Sequence, residues 1–386
     1  MGLFPAPFSY RKNEVHMEKT RIAFVGVGNI SGIYLKNLTT TFANEVEIAG
    51  VCDLIPERAQ KAADEYGVHI YPTYDDILAD DSVEIILNIT RPNEHFDITM
   101  AGLKAGKHVY SEKPLATEFE QGKLLVAYAR EHGLLLGGAP DTFLGGGIQT
   151  CRKLIDDGYI GEPVYANAVL LGCGHEVWHP GPEFYYERGG GPMLDMGPYY
   201  VTALVNLLGP AVSVMGRAKI TYPQRVITSQ PNYGKIINVE VPTHYNGIID
   251  FQNGCTGSIV TSFDVQYARK GRYIEVLGSE GTLRVPDPND FGGKIGLLRA
   301  GESEFMEIPI VRPYTENSRG LGLADMAHAL RTGRRPRANC DQTCHVLEIM
   351  TGIEKSSREN RTIRLETTFT RSEPMKYTKL PGILDD

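Results

Sequence analysis

Two features of the first sixty residues have the types and spacing to hold a charged ligand. In Arg21–Gly32, RIAFVGVGNISG, an apolar run over Ile22, Ala23, Phe24 and Val25 leads directly into Gly26, Gly28, Asn29 and Ile30. Glycine at 26 permits a tight strand-to-helix turn, and the bare backbone at 28 lets a pyrophosphate approach a helix N-terminus. There, free N–H groups and the helix dipole favour negative charge. The third glycine of the usual fingerprint is replaced by Ser31, with Gly32 one place later. Asp53 follows at about the 20-residue distance where a dinucleotide fold places a ribose-binding carboxylate. A 2′-phosphate beside it would meet like charge, costing roughly 4 kcal/mol at about 4 Å with an effective dielectric near 20. NAD is therefore expected over NADP, a preference that nearby Arg58 would soften.

Other chemistry-bearing groups lie further along. Asp195 and Tyr199 have i, i+4 spacing, which puts both side chains on one face of a helix beginning near Leu194. His175–His179 spells HEVWH, the zinc-protease pattern, but that pattern works only on a helix. Gly172 and Gly174 precede it and Pro180-Gly181-Pro182 follows, so a loop is expected. Its one tryptophan, Trp178, can stack on a sugar face, with His175 and His179 as hydrogen-bonding groups. Cys340, Cys344 and His345 do not complete a tetrahedral metal site and read as helix packing. No metal is expected.

The elements that must position these groups change character part-way along the chain. From Arg21 to Pro140, strands (Val46–Cys52, Val83–Thr90, His108–Ser111, Leu134–Leu136) alternate with helices. One helix starts near Pro56 and stops at Gly67. A second runs from Asn93 to about Lys104. A third opens at a Thr117/Glu120 capping box and ends at Gly133. This alternation implies a doubly wound parallel sheet, with ligands beyond the carboxyl ends of its strands. After a helix over Ile148–Asp156, β-hairpin signals dominate: Asn253-Gly254, Ser279-Glu280-Gly281 and Ala300-Gly301. Two late helices, near Leu323–Arg331 and Gln342–Ser357, cover or leave this second sheet.

Composition narrows the class. With 42% hydrophobic and 22% charged residues, a formal net charge of −8 and no basic cluster, the 386-residue chain is an ordinary globular protein. It has no expected affinity for nucleic acid or membrane. Six scattered cysteines without a CxxC pair suit a cytoplasmic protein. Residues 1–19 read as an N-terminal extension, either preceding a start at Met17 or forming an arm for a sister subunit.

At TRPNEH (Thr90–His95) and SEKPL (Ser111–Leu115) the chain resembles the glucose–fructose oxidoreductase / inositol dehydrogenase / rhizopine catabolism (Gfo/Idh/MocA) family. The resemblance continues through LIDDGYIGEPV (Leu154–Val164), GGGPMLDMGPYY (Gly189–Tyr200) and VLGSEGTLRV (Val276–Val285). It implies an α/β fold: an N-terminal Rossmann domain over 20–141, then a C-terminal α+β domain over 142–386. The second domain's largely antiparallel open sheet would bind substrate and make homo-oligomer contacts, as a dimer or tetramer. It also implies hydride transfer between a nicotinamide and a sugar or polyol. The cofactor residues carried over are Thr90, Pro92, Asn93, His95, Glu112 and Lys113, beside Gly26, Gly28, Asn29, Ile30, Asp53 and Arg58.

Lys113, at the end of a strand, can hydrogen-bond the reacting hydroxyl and stabilise a developing alkoxide, with Glu112 paired to it. Pro114 fixes the backbone after it, and the family admits a cis Lys113–Pro114 bond. In the family pattern Asp195 contacts substrate, while the acid/base histidine position holds Tyr199; glucose–fructose oxidoreductase also has tyrosine there. A phenol, with a reference pKa of about 10, needs a neighbouring cation to act as a base. Lys113 is the expected one, and His179 is the reserve base. Asp141 is expected to border the nicotinamide and substrate, and Tyr185, Tyr186 and Arg188 to line or close the cleft. The expected activity is NAD-dependent oxidation of a sugar or polyol hydroxyl. Competing readings are an NAD-dependent glycosidase working by oxidation and elimination, a protein with tightly held cofactor shuttling hydride between two sugars, and an inactive NAD-binding regulator.

Overall fold

The computed structural model describes residues 18–267, 271–377 and 382–385. The expected extension, including Met17, lies outside these residues except for Glu18 and Lys19.

The first sheet has five strands: β1 (Thr20–Val25), β2 (Val46–Cys52), β3 (Ile85–Asn88), β4 (His108–Ser111) and β5 (Leu136–Gly138), in the order β2-β1-β3-β4-β5. Every pairing is parallel. Both faces are covered, so Ile22, Ala23 and Phe24 are all fully buried and the strand reads as one apolar run. Its helices are α1 (Ser31–Thr39), α2 (Pro56–Tyr66), α3 (Tyr74–Ala79), α4 (His95–Lys104) and α5 (Phe119–Glu131). Pro56 opens α2, and Gly67 ends it in a left-handed conformation, as the sequence requires. Strand order reverses between β1 and β3, the switch point where doubly wound sheets bind ligands.

The Thr117/Glu120 capping box does not form. Glu118 is the N-cap of α5 and no side chain caps it. The box is instead built by Thr73 and Asp76 on α3.

The second sheet has nine strands. They are β6 (Pro163–Leu171), β7 (Ala211–Lys219), β10 (His244–Phe251), β11 (Thr256–Ser262), β12 (Arg272–Gly278), β13 (Gly281–Val285), β14 (Ile295–Arg299), β15 (Met306–Ile308) and β16 (Ile363–Arg364). A separate hairpin pairs β8 (Gln224–Val226) with β9 (Ile236–Asn238). Only β6–β11 is parallel; the other pairings are antiparallel. One face packs under α6 (Gly146–Asp156), α8 (Gly197–Leu208) and α10 (Cys340–Glu359). The other leaves Tyr165, Met215 and Ile248 exposed. All twelve residues of α8 are buried, which fits a helix apolar all round its axis and enclosed on all sides.

Two helices join the halves. α9 (Leu321–Thr332) packs on β1 and β5, and α10 touches α5, β5 and β7. Cys344 packs in the apolar core there, while His345 receives a hydrogen bond from the Ala211 amide and pairs with the Thr367 hydroxyl. Among the described residues, no helix is long and apolar enough to cross a membrane.

Candidate active site

β1 delivers the chain to the glycine loop at the switch point. Gly26 has φ +89°, and a Cβ there would meet the Ile89 carbonyl oxygen at 2.7 Å, so only glycine fits. A Cβ on Gly28 would meet nothing within 4 Å. The Ser31 hydroxyl donates to the Gly28 carbonyl at 2.7 Å, and α1 begins with Ile30 at its N-cap and no capping side chain. Asp53, at the end of β2, accepts the Val27 amide at 2.7 Å and the Ile55 amide at 2.8 Å, one on each oxygen. It does not cap α2, whose N-cap is Ile55. A carboxylate has about four acceptor sites, so both oxygens retain capacity for a ribose.

Beyond β3, Thr90 donates its amide and hydroxyl to Asn88 Oδ1. Pro92 opens a short turn, and Asn93 Oδ1 lies where a Cβ on Gly189 would intrude at 2.5 Å. Buried His95 contacts the Pro114 carbonyl through Nδ1 at 2.7 Å and the Thr90 carbonyl through Nε2 at 3.1 Å. Burial lowers its pKa. A neutral imidazole has only one N–H to donate, so the shorter contact takes it and His95 secures the Lys113–Pro114 turn. That peptide bond is cis.

Lys113 stands at the carboxyl end of β4. Its ammonium reaches Asp195 Oδ1 at 2.9 Å and the Asp195 carbonyl at 2.6 Å, and it sits 5.3 Å from the centre of the Tyr199 ring. The partner of the ammonium is thus Asp195, not Glu112. Glu112 accepts the Lys113 amide at 2.9 Å and the Tyr34 hydroxyl at 2.8 Å. Asp195 and Tyr199 do not share one continuous helix either. Asp195 ends α7 (Gly191–Asp195), Met196 breaks the run, and Tyr199 lies in the first turn of α8. Their approach comes through Lys113.

The charges reinforce one another. Burial opposes ionisation of Lys113, yet Asp195, then Tyr199 and Glu112, hold its pKa above the usual lysine value. Burial would raise the Asp195 carboxyl, but the Lys113 ammonium and then His175 hold it well below the carboxylate range. Burial likewise raises the Tyr199 phenol, opposed by the positive charges of Lys113 and Arg319. The net direction is upward. Arg319 is the site residue that no motif exposed.

Of the two histidines in HEVWH, His175 joins the site: its Nε2 is 3.4 Å from Asp195 Oδ2. It stacks on Tyr185 at 3.9 Å and meets the Phe263 ring edge-on at 4.6 Å. His179 Nδ1 instead accepts the Gly181 amide, and its ring packs against Trp178 and Phe184. The segment forms a single 3-10 turn over His175–Val177. Glu176 points inward, to Arg225 at 2.7 Å and to the Tyr186 hydroxyl, and so anchors the loop. Trp178 is 59% exposed and free to stack on a ligand. Arg188 pairs with Glu118. Asp141 does not present its carboxylate to a ligand: it is buried and accepts the Gly320 and Gly322 amides at 2.9 and 3.0 Å.

Comparison with known proteins matches residues 20–138 to the model for "Oxidoreductase family, NAD-binding Rossmann fold", and residues 148–284 to "GFO/IDH/MocA C-terminal domain". The chain belongs to the Gfo/Idh/MocA family.

An inositol 2-dehydrogenase/D-chiro-inositol 3-dehydrogenase of Lactiplantibacillus plantarum is 37% identical over 155 residues, 39% of this chain and 43% of that protein. That match therefore spans less than half the relative's length. The scyllo-inositol 2-dehydrogenase (NAD(+)) of Bacillus subtilis is 23% identical over 90% of this chain and 97% of its own. An aldose-aldose oxidoreductase from Caulobacter crescentus, solved with glycerol, superposes with a TM-score of 0.74 at 23% identity, covering 90% of this chain and all of that one. This last likeness shows the fold alone.

The Gfo/Idh/MocA assignment makes NAD the cofactor, and the residues present fit it. The space beside Gly28, the uncapped start of α1 and the acceptor capacity of Asp53 accommodate a pyrophosphate and a ribose. Asn29 and Arg58 are exposed, and Ile30 is half-buried.

Proposed function

We propose that this protein is an NAD-dependent dehydrogenase acting on a hydroxyl of a polyol or sugar. The observation that carries the reading is the contact of Lys113 with Asp195 at 2.9 Å, with the Tyr199 ring beneath the ammonium. An ammonium has three N–H donors. Two point at Asp195, one at its side chain and one at its carbonyl, and the third is free for the reacting oxygen. Lys113 thus stabilises negative charge developing on that oxygen, while Asp195 accepts from a neighbouring hydroxyl and fixes the substrate's orientation. Tyr199 accepts the hydroxyl proton on oxidation and returns it on reduction. Bound NAD supplies the hydride acceptor.

Inositols are the first substrates to test, because relatives named for inositol oxidation match this chain. His175 and Trp178 are assigned to the substrate, with His179 behind them. Residues 20–141 hold the cofactor, and 142–386 hold the substrate and make contacts between subunits. Purified protein incubated with NAD and a panel of inositols and aldoses is expected to form NADH with at least one of them. Cofactor binding without NADH formation from any would count against a dehydrogenase. Release of aglycone from a chromogenic glycoside without net NADH would point to the glycosidase chemistry instead.

A further inference from the structure

His175 meets Asp195 at 3.4 Å from a single 3-10 turn, too short an element to fix the ring by itself. Three neighbours set its place. Glu176 is the next residue in the chain. The Tyr186 hydroxyl accepts the His175 amide at 3.1 Å. The Phe263 ring meets the imidazole edge-on at 4.6 Å. One guanidinium, that of Arg225 in the middle of β8, touches all three. Its Nη1 donates to Glu176 Oε1 at 2.7 Å and its Nη2 to the Phe263 carbonyl at 3.3 Å, while its carbon lies 5.0 Å from the centre of the Tyr186 ring. Tyr186 in turn donates to Glu176 Oε2, and Asp264 forms a second ion pair with Nη2. The side chains of Arg225, Glu176 and Asp264 are at most 10% exposed, so these charge-assisted bonds are shielded from water. The hairpin adds backbone bonds: the Thr228 and Ser229 amides donate to the Glu176 carbonyl at 2.9 and 3.1 Å.

We propose that Arg225 is a positioning residue for substrate recognition, holding His175 against Asp195 through Glu176, Tyr186 and Phe263. This rests on the reading of His175 as a substrate-binding group. Arg225 lies 49 positions after Glu176, on the β8–β9 hairpin, which belongs to neither main sheet. Removing the guanidinium leaves the buried Glu176 carboxylate without its counter-charge and frees the turn that carries His175. Cofactor residues lie in the other half of the chain, so NAD binding is untouched.

Nitrogen-15 resonances of the His175 ring, identified by their loss in H175A, report the contact with Asp195 without substrate. They should move in R225Q and move less in R225K. With the sugar or polyol that gives most NADH, R225Q should raise KM about tenfold or more and change kcat less than about threefold, at an unchanged NAD dissociation constant. R225K should fall between. H175A should raise KM likewise, and R225Q should add nothing to it in the double variant. E176Q leaves Arg225 paired with Asp264; it should act as R225Q does, and it decides the matter if R225Q does not fold. Unmoved resonances, a loss of kcat at unchanged KM, or full additivity of R225Q with H175A overturns the role of Arg225. Separately, an unchanged KM in H175A would overturn the assignment of His175 to the substrate, whatever Arg225 does to the resonances.

Discussion

Lys113 and Asp195, 82 positions apart in sequence, meet at 2.9 Å with side chains only 18% and 16% exposed. The aspartate also keeps His175 at 3.4 Å, so one carboxylate orients both the ammonium and an imidazole. Substituting D195N leaves a largely buried ammonium without its counter-charge. A loss of about 2–4 kcal/mol in unfolding free energy is expected by chemical denaturation. The turnover rate should fall about 10²–10⁴-fold. In K113M/D195L, stability should largely return while activity does not.

The pH dependence of turnover should report Tyr199. Lys113 is held above its ordinary pKa and Asp195 below its own, so both stay charged from neutral to alkaline pH. The phenol, raised chiefly by burial, is the group left to change. Polyol oxidation should climb as pH rises into the alkaline range, and carbonyl reduction should fall over the same range. Rate profiles in both directions check this, and Y199F should erase the limb.

Asp141 gives a stability signature of opposite sign to a paired carboxylate. Burial raises it from 3.8 to about 6, against the Gly322 and Gly320 amides and Arg319, which lower it. Because the folded state binds this proton more tightly, the associated stability is full below about 4 and is lost as pH rises through about 6. Removing the titration in D141N, which keeps an acceptor oxygen, should flatten that fall by about 2–3 kcal/mol. Thermal or urea unfolding of both proteins across the range checks the difference.

The two loop glycines should separate folding from cofactor binding. G26A forces a Cβ to within 2.7 Å of the Ile89 carbonyl at φ +89° and should lower stability by about 2 kcal/mol or more. G28A meets no atom within 4 Å. It should unfold within about 0.5 kcal/mol of wild type yet bind NAD at least about tenfold more weakly, because its methyl group occupies the pyrophosphate's approach. Calorimetric titration beside a melting curve distinguishes them.

What the sequence revealed was local. The run Ile22–Val25, the glycine turn and the hairpin at Asn253-Gly254 each carry their cause within a few residues, and each stands where expected. Strands β6 and β7 were harder to read because apolar residues also occupy the open face: Tyr165, Val212 and Met215 blur the alternation. The Asp195/Tyr199 spacing suggested one helix, but Gly197-Pro198 restarts it, and proximity is restored by Lys113 from another element. HEVWH gave no local sign of which histidine would enter the site. That choice follows from Glu176 burying itself against Arg225, a contact made 49 positions away. Arg319 lies in a loop without periodicity or motif. Only the tertiary fastening by Asn37, Asp141 and Asn289 gives it a place.

The most direct test is a paired measurement on K113M with the best substrate of the inositol and aldose panel: NAD dissociation constant and turnover rate. The account predicts NAD affinity within a few-fold of wild type and turnover reduced by about 10²-fold or more. Turnover equal to wild type at unchanged affinity would contradict it.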